Sequence, residues 1–279
     1  MKIASKEYVI KRLTELMITP KKKFSQNFLT DYETVVESVN ALNLTDDDTV
    51  IEVGPGLGAL SQELLDRKAN LYAYEIDPNM YNHLKDVFKW SNTFHLENID
   101  FMKVDLKPFE GKPIKFISNV PYNITTPLIE KVVTSSLDVK CFEFMVQKEV
   151  YDRIKAKVGS KDYAPLNIFI EYVGKLSVVK KVNKMHYIPA PNVDSIVLKI
   201  EFTNKNRLDK EIEKEFVKLT KACFLMRRKT ILNNLNAYFN SKEKAQKVLL
   251  EAGIKENERA EDICLGDYLK LAKISFFWK

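Results

Sequence analysis

Ser118-Asn119-Val120-Pro121-Tyr122 brings together three residue types that can act on an amino group conjugated to an aromatic ring. The exocyclic nitrogen of such a ring is a poor nucleophile because its lone pair is delocalised. The Asn119 side-chain carbonyl and the Pro121 backbone carbonyl can each accept one N–H. Together they draw the nitrogen towards tetrahedral geometry and aim its lone pair at an electrophile. Tyr122 offers a face on which a base flipped out of its helix or loop stacks. The motif needs no general base and contains none. The plain alternative is a proline turn after a strand.

A second segment, Glu52-Val53-Gly54-Pro55-Gly56-Leu57-Gly58, supplies a tight glycine turn between a strand and a helix. Its spacing is G-x-G-x-G, whereas the dinucleotide fingerprint is G-x-G-x-x-G. Pro55 removes one N–H and Glu52 places a carboxylate nearby. These features disfavour a phosphate and suit a cationic nucleoside such as S-adenosylmethionine, with NAD the weaker candidate. A turn without a ligand is the plain alternative. Glu75 ends the next strand, 21 residues after Gly54, where a carboxylate can accept both hydroxyls of a ribose. Nicotinamide enzymes use the same device, so Glu75 indicates an adenosine ligand without choosing the cofactor. Asp100 or Asp105 can accept from an adenine amino group, with Phe101 or Ile76 covering the ring.

These groups need a rigid frame. Residues 48–53, 70–76, 114–119 and 140–146 read as buried strands, and 57–67 and 80–90 have helical periodicity. Such alternation predicts a parallel sheet covered on both faces. Residues 175–182 and 195–202 lack an intervening helix and suit an antiparallel pair at the sheet edge. A polar stretch at 203–208 marks a boundary, beyond which Phe216, Leu219, Cys223 and Met226 recur on one helical stripe. The expected organisation is an α/β domain over 1–205, with a basic N-terminal arm, and a small all-α domain over 206–279.

The chain has 279 residues, 45% hydrophobic and 29% charged. That mix excludes a disordered tail, a collagen-like fibre and a small disulfide scaffold. No apolar run approaches the roughly 18–20 residues of a membrane span. Cys141, Cys223 and Cys264 are odd in number and far apart, which points to a reducing compartment. His83, His95 and His186 are equally scattered, so no metal site is expected. Ile10, Leu13, Leu16 and Met17 have helical spacing, but Glu7 and Glu15 argue against a targeting presequence, leaving the cytoplasm as the expected location. The net charge of +6 is unevenly placed: residues 1–30 carry +5, 206–279 carry +5, and 31–205 carry −4. Two basic ends flanking an acidic body point to an anionic partner.

Taken in order, these motifs resemble the KsgA-type ribosomal RNA adenine dimethyltransferases, with related features in the Erm enzymes that methylate large-subunit RNA. The resemblance runs from Lys21 to Leu269. It includes 23–29, 52–60, 74–77, 119–126, 147–150, 189–195, 227–231 and 259–263. It implies a Rossmann-like S-adenosylmethionine-dependent methyltransferase fold followed by a small all-α domain that contacts RNA and the ribosome. Cofactor contacts are implied for Asn27, Leu29, Gly54, Gly56, Glu75, Ile76, Asp100, Phe101 and Asn119. Asn119, Pro121, Tyr122 and Tyr187 are implied as the target-adenine site. Lys21, Lys22, Lys23, Arg227, Arg228 and Lys229 are implied as RNA contacts, which give affinity and orientation more than sequence readout. The implied activity is N6-dimethylation of two adjacent adenosines in the 3′-terminal hairpin loop of 16S ribosomal RNA, with a role in small-subunit biogenesis. The implied partner is the assembling small subunit, met by a monomer. The alternatives are an Erm-like enzyme acting on 23S RNA and an assembly factor acting mainly by binding.

Overall fold

The computed structural model describes residues 2–17, 27–46, 48–119, 124–135, 137–203 and 207–278. The chain forms two compact units, Met1–Tyr151 with Lys175–Phe202, and Asp152–Gly174 with Thr203–Lys279. The first opens with α1 (Lys6–Glu15), β1 (Phe28–Leu29) and α2 (Tyr32–Ala41). It continues through β2 (Thr49–Val53), α3 (Ala59–Asp66), β3 (Asn70–Tyr74), α4 (Pro78–Val87), β4 (Phe94–Glu97), β5 (Pro113–Ser118), α5 (Thr125–Val133) and β6 (Asp138–Gln147). The chain then passes through α6 (Lys148–Ile154) and α7 (Pro165–Val173) and returns as β7 (Gly174–Val182), β8 (Tyr187–Ile188) and β9 (Ser195–Phe202).

Seven strands form one sheet in the order β4-β3-β2-β5-β6-β9-β7. The pairs β3–β4, β2–β3, β2–β5 and β5–β6 are parallel, and β9 runs antiparallel to β6. This is the mostly parallel α/β sheet with late antiparallel character expected from the alternation. Every residue of β2 (TVIEV) is buried, as a central strand covered on both faces requires. Val50, Ile51, Phe116, Ile117 and Phe142 are fully buried in the sheet, and Val35, Val39 and Leu64 on α2 and α3 are equally enclosed. Ile3 and Ala4, with Val9 and Leu13 of α1, join the core.

The second strand was expected to reach Ile76 but ends at Tyr74. There the Glu75 carboxylate takes the Asp77 N–H at 2.8 Å, and Asp77 caps α4 by accepting from Asn79 N–H at 3.0 Å. Pro78 occupies the first helical turn with its φ preset. The strand therefore stops two residues before the hydrophobic run would end, and the chain turns into the helix cap.

At the other end of the sheet, Lys115 Nζ lies 2.5 Å from Asp48 Oδ2 and donates to the Asn43 carbonyl at 2.7 Å. The Thr45 N–H and hydroxyl also donate to Asp48, at 2.6 and 3.0 Å. Burial opposes ionisation of Asp48, yet Lys115 and Thr45 together hold its carboxyl below the ordinary range.

The second unit adds α8 (Lys210–Cys223), α9 (Ile231–Phe239), α10 (Lys242–Ala252) and α11 (Leu265–Phe277), and α7 packs against α8 and α11. Phe216, Leu219 and Cys223 are fully buried as expected, but Met226 is exposed. The reason is that α8 stops at Cys223, and Met226 opens a turn closed by its carbonyl and the Lys229 N–H. Two interior carboxylates are satisfied locally. Glu213 accepts from Tyr172 Oη and Arg207, while Glu215 accepts from Tyr238 Oη and Ser275 Oγ. Among the described residues no helix is long and apolar enough to cross a membrane.

Candidate active site

β2, β3 and β5 deliver their C-terminal ends to one place, at the point in the sheet where strand order reverses. Ligands of open α/β sheets bind at such switch points. Val53 pairs with Tyr74 on one side and Ser118 on the other, so Gly54, Glu75 and Asn119 leave the sheet side by side.

The glycine segment turns sharply, with Gly54, Gly56 and Gly58 all at positive φ. At Gly58 the constraint is also steric. A Cβ there would lie 2.6 Å from the Phe88 ring and 2.9 Å from Leu84. The Gly54 N–H donates to the Tyr74 carbonyl at 2.9 Å and the Gly56 N–H to Glu75 Oε2 at 3.0 Å, tying the turn to β3. Glu75 is 5% exposed. Burial raises its carboxyl above the ordinary value, while N–H bonds from Asp77 and Gly56 oppose that rise. A carboxylate offers about four lone-pair sites, of which the Gly56, Asp77 and Ile76 N–H groups take up to three, so acceptor capacity remains for a hydroxyl.

Glu52 corrects one expectation. Its carboxyl is fully buried, accepts from Ser61 Oγ at 2.6 Å, and is pushed up to about 8, chiefly by burial. At neutral pH it is therefore protonated and brings no negative charge to the loop. The preference against phosphate rests on Pro55 and the glycine spacing.

Asn119 is half-buried, and Ser118 Oγ before it donates to the Val53 carbonyl at 3.1 Å. That bond joins the ends of β2 and β5 at the residue before Asn119. Pro121 and Tyr122 lie outside the described residues.

Asp100 caps a 3₁₀ turn at Phe101–Lys103, with Oδ1 accepting the Met102 N–H at 2.9 Å. The two candidates for covering a purine differ in placement. Phe101 is 4% exposed and packs against Tyr74 and Phe116, whereas Ile76 is 48% exposed. The other carboxylate candidate, Asp105, accepts the Lys107 N–H at 3.1 Å.

Two residues with no local signature also build this wall. Asn98 Nδ2 donates to the Glu75 carbonyl at 2.7 Å, and Lys131 Nζ donates to the Met102 and Val104 carbonyls. Each bond spans more than twenty residues of chain, so neither is visible as a motif.

β1 and β8 form a separate two-stranded ribbon that pairs Phe28 with Ile188 and Leu29 with Tyr187. The Phe28 ring lies 3.6 Å from where a Gly56 Cβ would stand, which places the segment after Asn27 beside the glycine loop. Leu29 is buried. Tyr187 is 4% exposed with its hydroxyl on the Met145 sulfur, so its ring lies in the interior.

Arg227, Arg228 and Lys229 are exposed on the turn between α8 and α9, and the Arg227 guanidinium donates to the Lys161 carbonyl of the same unit. Lys21, Lys22 and Lys23 lie outside the described residues.

A family model for ribosomal RNA adenine dimethylases matches residues 17–275. The chain is 38% identical over 260 residues to ribosomal RNA small subunit methyltransferase A of Lactococcus lactis subsp. lactis (strain IL1403), covering 90% of this chain and 88% of that protein. It is 35% identical over 253 residues to the protein of the same name from Clostridium botulinum (strain Langeland / NCTC 10281 / Type F), covering 90% and 92%. The crystal structure of a dimethyladenosine transferase from Plasmodium falciparum matches with a TM-score of 0.70 at 25% identity, over 87% of this chain and 95% of that one. The 23S rRNA methyltransferase ErmE matches with a TM-score of 0.62 at 23% identity, over 89% and 99%, a likeness of fold.

Proposed function

This chain belongs to the ribosomal RNA adenine dimethylase family, and on that premise we propose that it dimethylates N6 of two adjacent adenosines in the 3′-terminal hairpin loop of small-subunit RNA, with S-adenosylmethionine as donor. When bound, that donor supplies an electrophilic methyl group on a sulfonium. The observation that carries the reading is the meeting of Asn119 with the glycine turn and Glu75 at the ends of three adjacent strands.

In this reading Glu75 accepts the ribose hydroxyls, Asp100 accepts from the donor's adenine amino group, and the open Ile76 side chain covers that ring. Phe101 supports the wall from the interior, and the Asn27–Leu29 segment closes the loop side. Asn119 accepts one N–H of the target amino group with its side-chain carbonyl. Pro121 accepts the other, and Tyr122 carries the base by stacking. Two acceptors aimed at one nitrogen localise its lone pair at the moment of transfer, which is where preorganised polar groups contribute most to rate. Tyr187 supports the neighbouring ribbon from inside.

Lys21–Lys23 and Arg227–Lys229 meet RNA phosphates, which position the substrate without reading its bases. The two relatives at 35% and 38% sequence identity bear the name of small-subunit methyltransferases, which supports that substrate over large-subunit RNA. The proposed setting is a monomer acting in the cytoplasm on an assembling subunit.

Labelled S-adenosylmethionine with separately purified, unmethylated small and large ribosomal particles tests this reading. Label is expected in the small subunit, and label confined to the large subunit overturns it. Asn119→Ala is expected to lower methylation by about 10²–10³-fold, with subunit binding retained. Unchanged dimethylation by that variant would remove Asn119 from the site.

A further inference from the structure

Lys131 lies on α5, the helix that follows the Asn119 segment in the chain, but its ammonium acts on the Asp100–Val104 turn. Nζ donates to the Met102 carbonyl at 3.0 Å and the Val104 carbonyl at 2.7 Å. It stands 5.5 Å from the centroid of the Phe101 ring. Burial lowers its pKa, and the charges of Asp100 and Asp105 counter that effect.

A 3₁₀ turn of three residues ends with carbonyls that have no partner inside the turn, and a cation is favoured there. Lys131 fills that role. Asp100 grips the same turn from the other end by taking the Met102 N–H. Met102 is thus held at both its backbone groups, by the Asp100 carboxylate and by an ammonium from α5.

We propose that Lys131 is a positioning residue for the donor site: it locks the Asp100–Val104 turn to α5, so that the wall selecting the donor's adenine and the helix that follows Asn119 in the chain are held as one piece. The proposal rests on the reading that Asp100 accepts from the donor's 6-amino group. Loss of Lys131 leaves the Asp100 carboxylate present but free to wander with its turn, and discrimination between purines should suffer more than folding.

Calorimetric titration of the full chain with S-adenosylhomocysteine and with S-inosylhomocysteine tests this, because the second ligand has a carbonyl in place of the amino group. The parent should prefer the adenosyl ligand. Lys131→Met should lose about tenfold in adenosyl affinity, or some 1.4 kcal/mol, and most of that preference. Lys131→Arg should recover both, and the melting temperature should move by only a few degrees.

Asp100→Asn separates the proposal from the reading beneath it. If that variant keeps the parent's preference, or the parent has none, the assignment of Asp100 fails. If Asp100→Asn loses the preference while Lys131→Met keeps it, or Lys131→Met weakens both ligands equally, the proposal for Lys131 is overturned. Should Lys131→Met not fold, Lys131→Gln is read against the same outcomes.

Discussion

The two ends of strands β2 and β5 carry polar groups to opposite effect. At the N-terminal end, Lys115, Asp48, Thr45 and the Asn43 carbonyl spend their hydrogen bonds on one another. At the C-terminal end, the Gly54 and Gly56 N–H groups tie the glycine turn to Tyr74 and Glu75, and Asn119 sits half-buried beyond the last strand residue. One sheet thus has a closed end and an end whose polar groups we assign to a ligand. The closed end supplies rigidity, and the open end draws on it.

The largest effect that could break this comparison is at the closed end. Lys115→Met leaves Asp48 buried without its cation, and removing one partner of a buried pair costs about 3–5 kcal/mol. Urea unfolding should show that loss, with S-adenosylhomocysteine affinity in the folded fraction unchanged. Equal stability, or a selective loss of ligand binding, would mean that the closed end is not a purely structural device.

Gly58→Ala acts at the open end and should be smaller in stability but visible in both assays. The added methyl group meets the Phe88 ring and Leu84 at a backbone φ of +88°. Strain of this kind costs of order 1–3 kcal/mol. The turn that relaxes it also presents Gly54 and Gly56, so donor affinity should fall together with the melting temperature. A stable variant with native affinity would show that the loop shape is not what the ligand requires.

What was legible in the sequence was local. The strand TVIEV, the turn after it, and the strand-end positions of Glu75 and Asn119 follow from a period of two, glycine spacing and loop position, all within a few residues. What escaped was long-range. Asn98 reaches Glu75 across 23 residues, Lys131 reaches Val104 across 27, and Lys115 reaches Asp48 across 67. None of these has a local signature, because a lysine on a helix or strand looks like any solvated charge until the fold supplies its carbonyls. Met226 kept the helical period after the helix had stopped. Glu52 was misjudged for a related reason: its position beside the loop was legible, but the complete burial that favours its neutral form was not.

Glu52 therefore gives the finest test of where the closed interior stops and the ligand end begins. Its folded carboxyl titrates at about 8, against an ordinary value near 4.3. Between those values the native state keeps a proton that the unfolded chain releases. Stability drawn from this group is present in full below the ordinary value and is lost as pH rises towards 8, by at most about 1.4 kcal/mol per pH unit. Glu52→Gln removes that slope while its carbonyl still accepts the Ser61 hydroxyl. At pH 4 the variant and parent should be nearly equal in urea unfolding, and the variant should gain steadily up to pH 8 and level off above it. Donor affinity at pH 7 should be unaltered, because the carboxyl carries no charge to lose. A tenfold loss of donor affinity at pH 7 with no pH-dependent gain in stability would move Glu52 across the boundary, as an ionised group that faces the ligand.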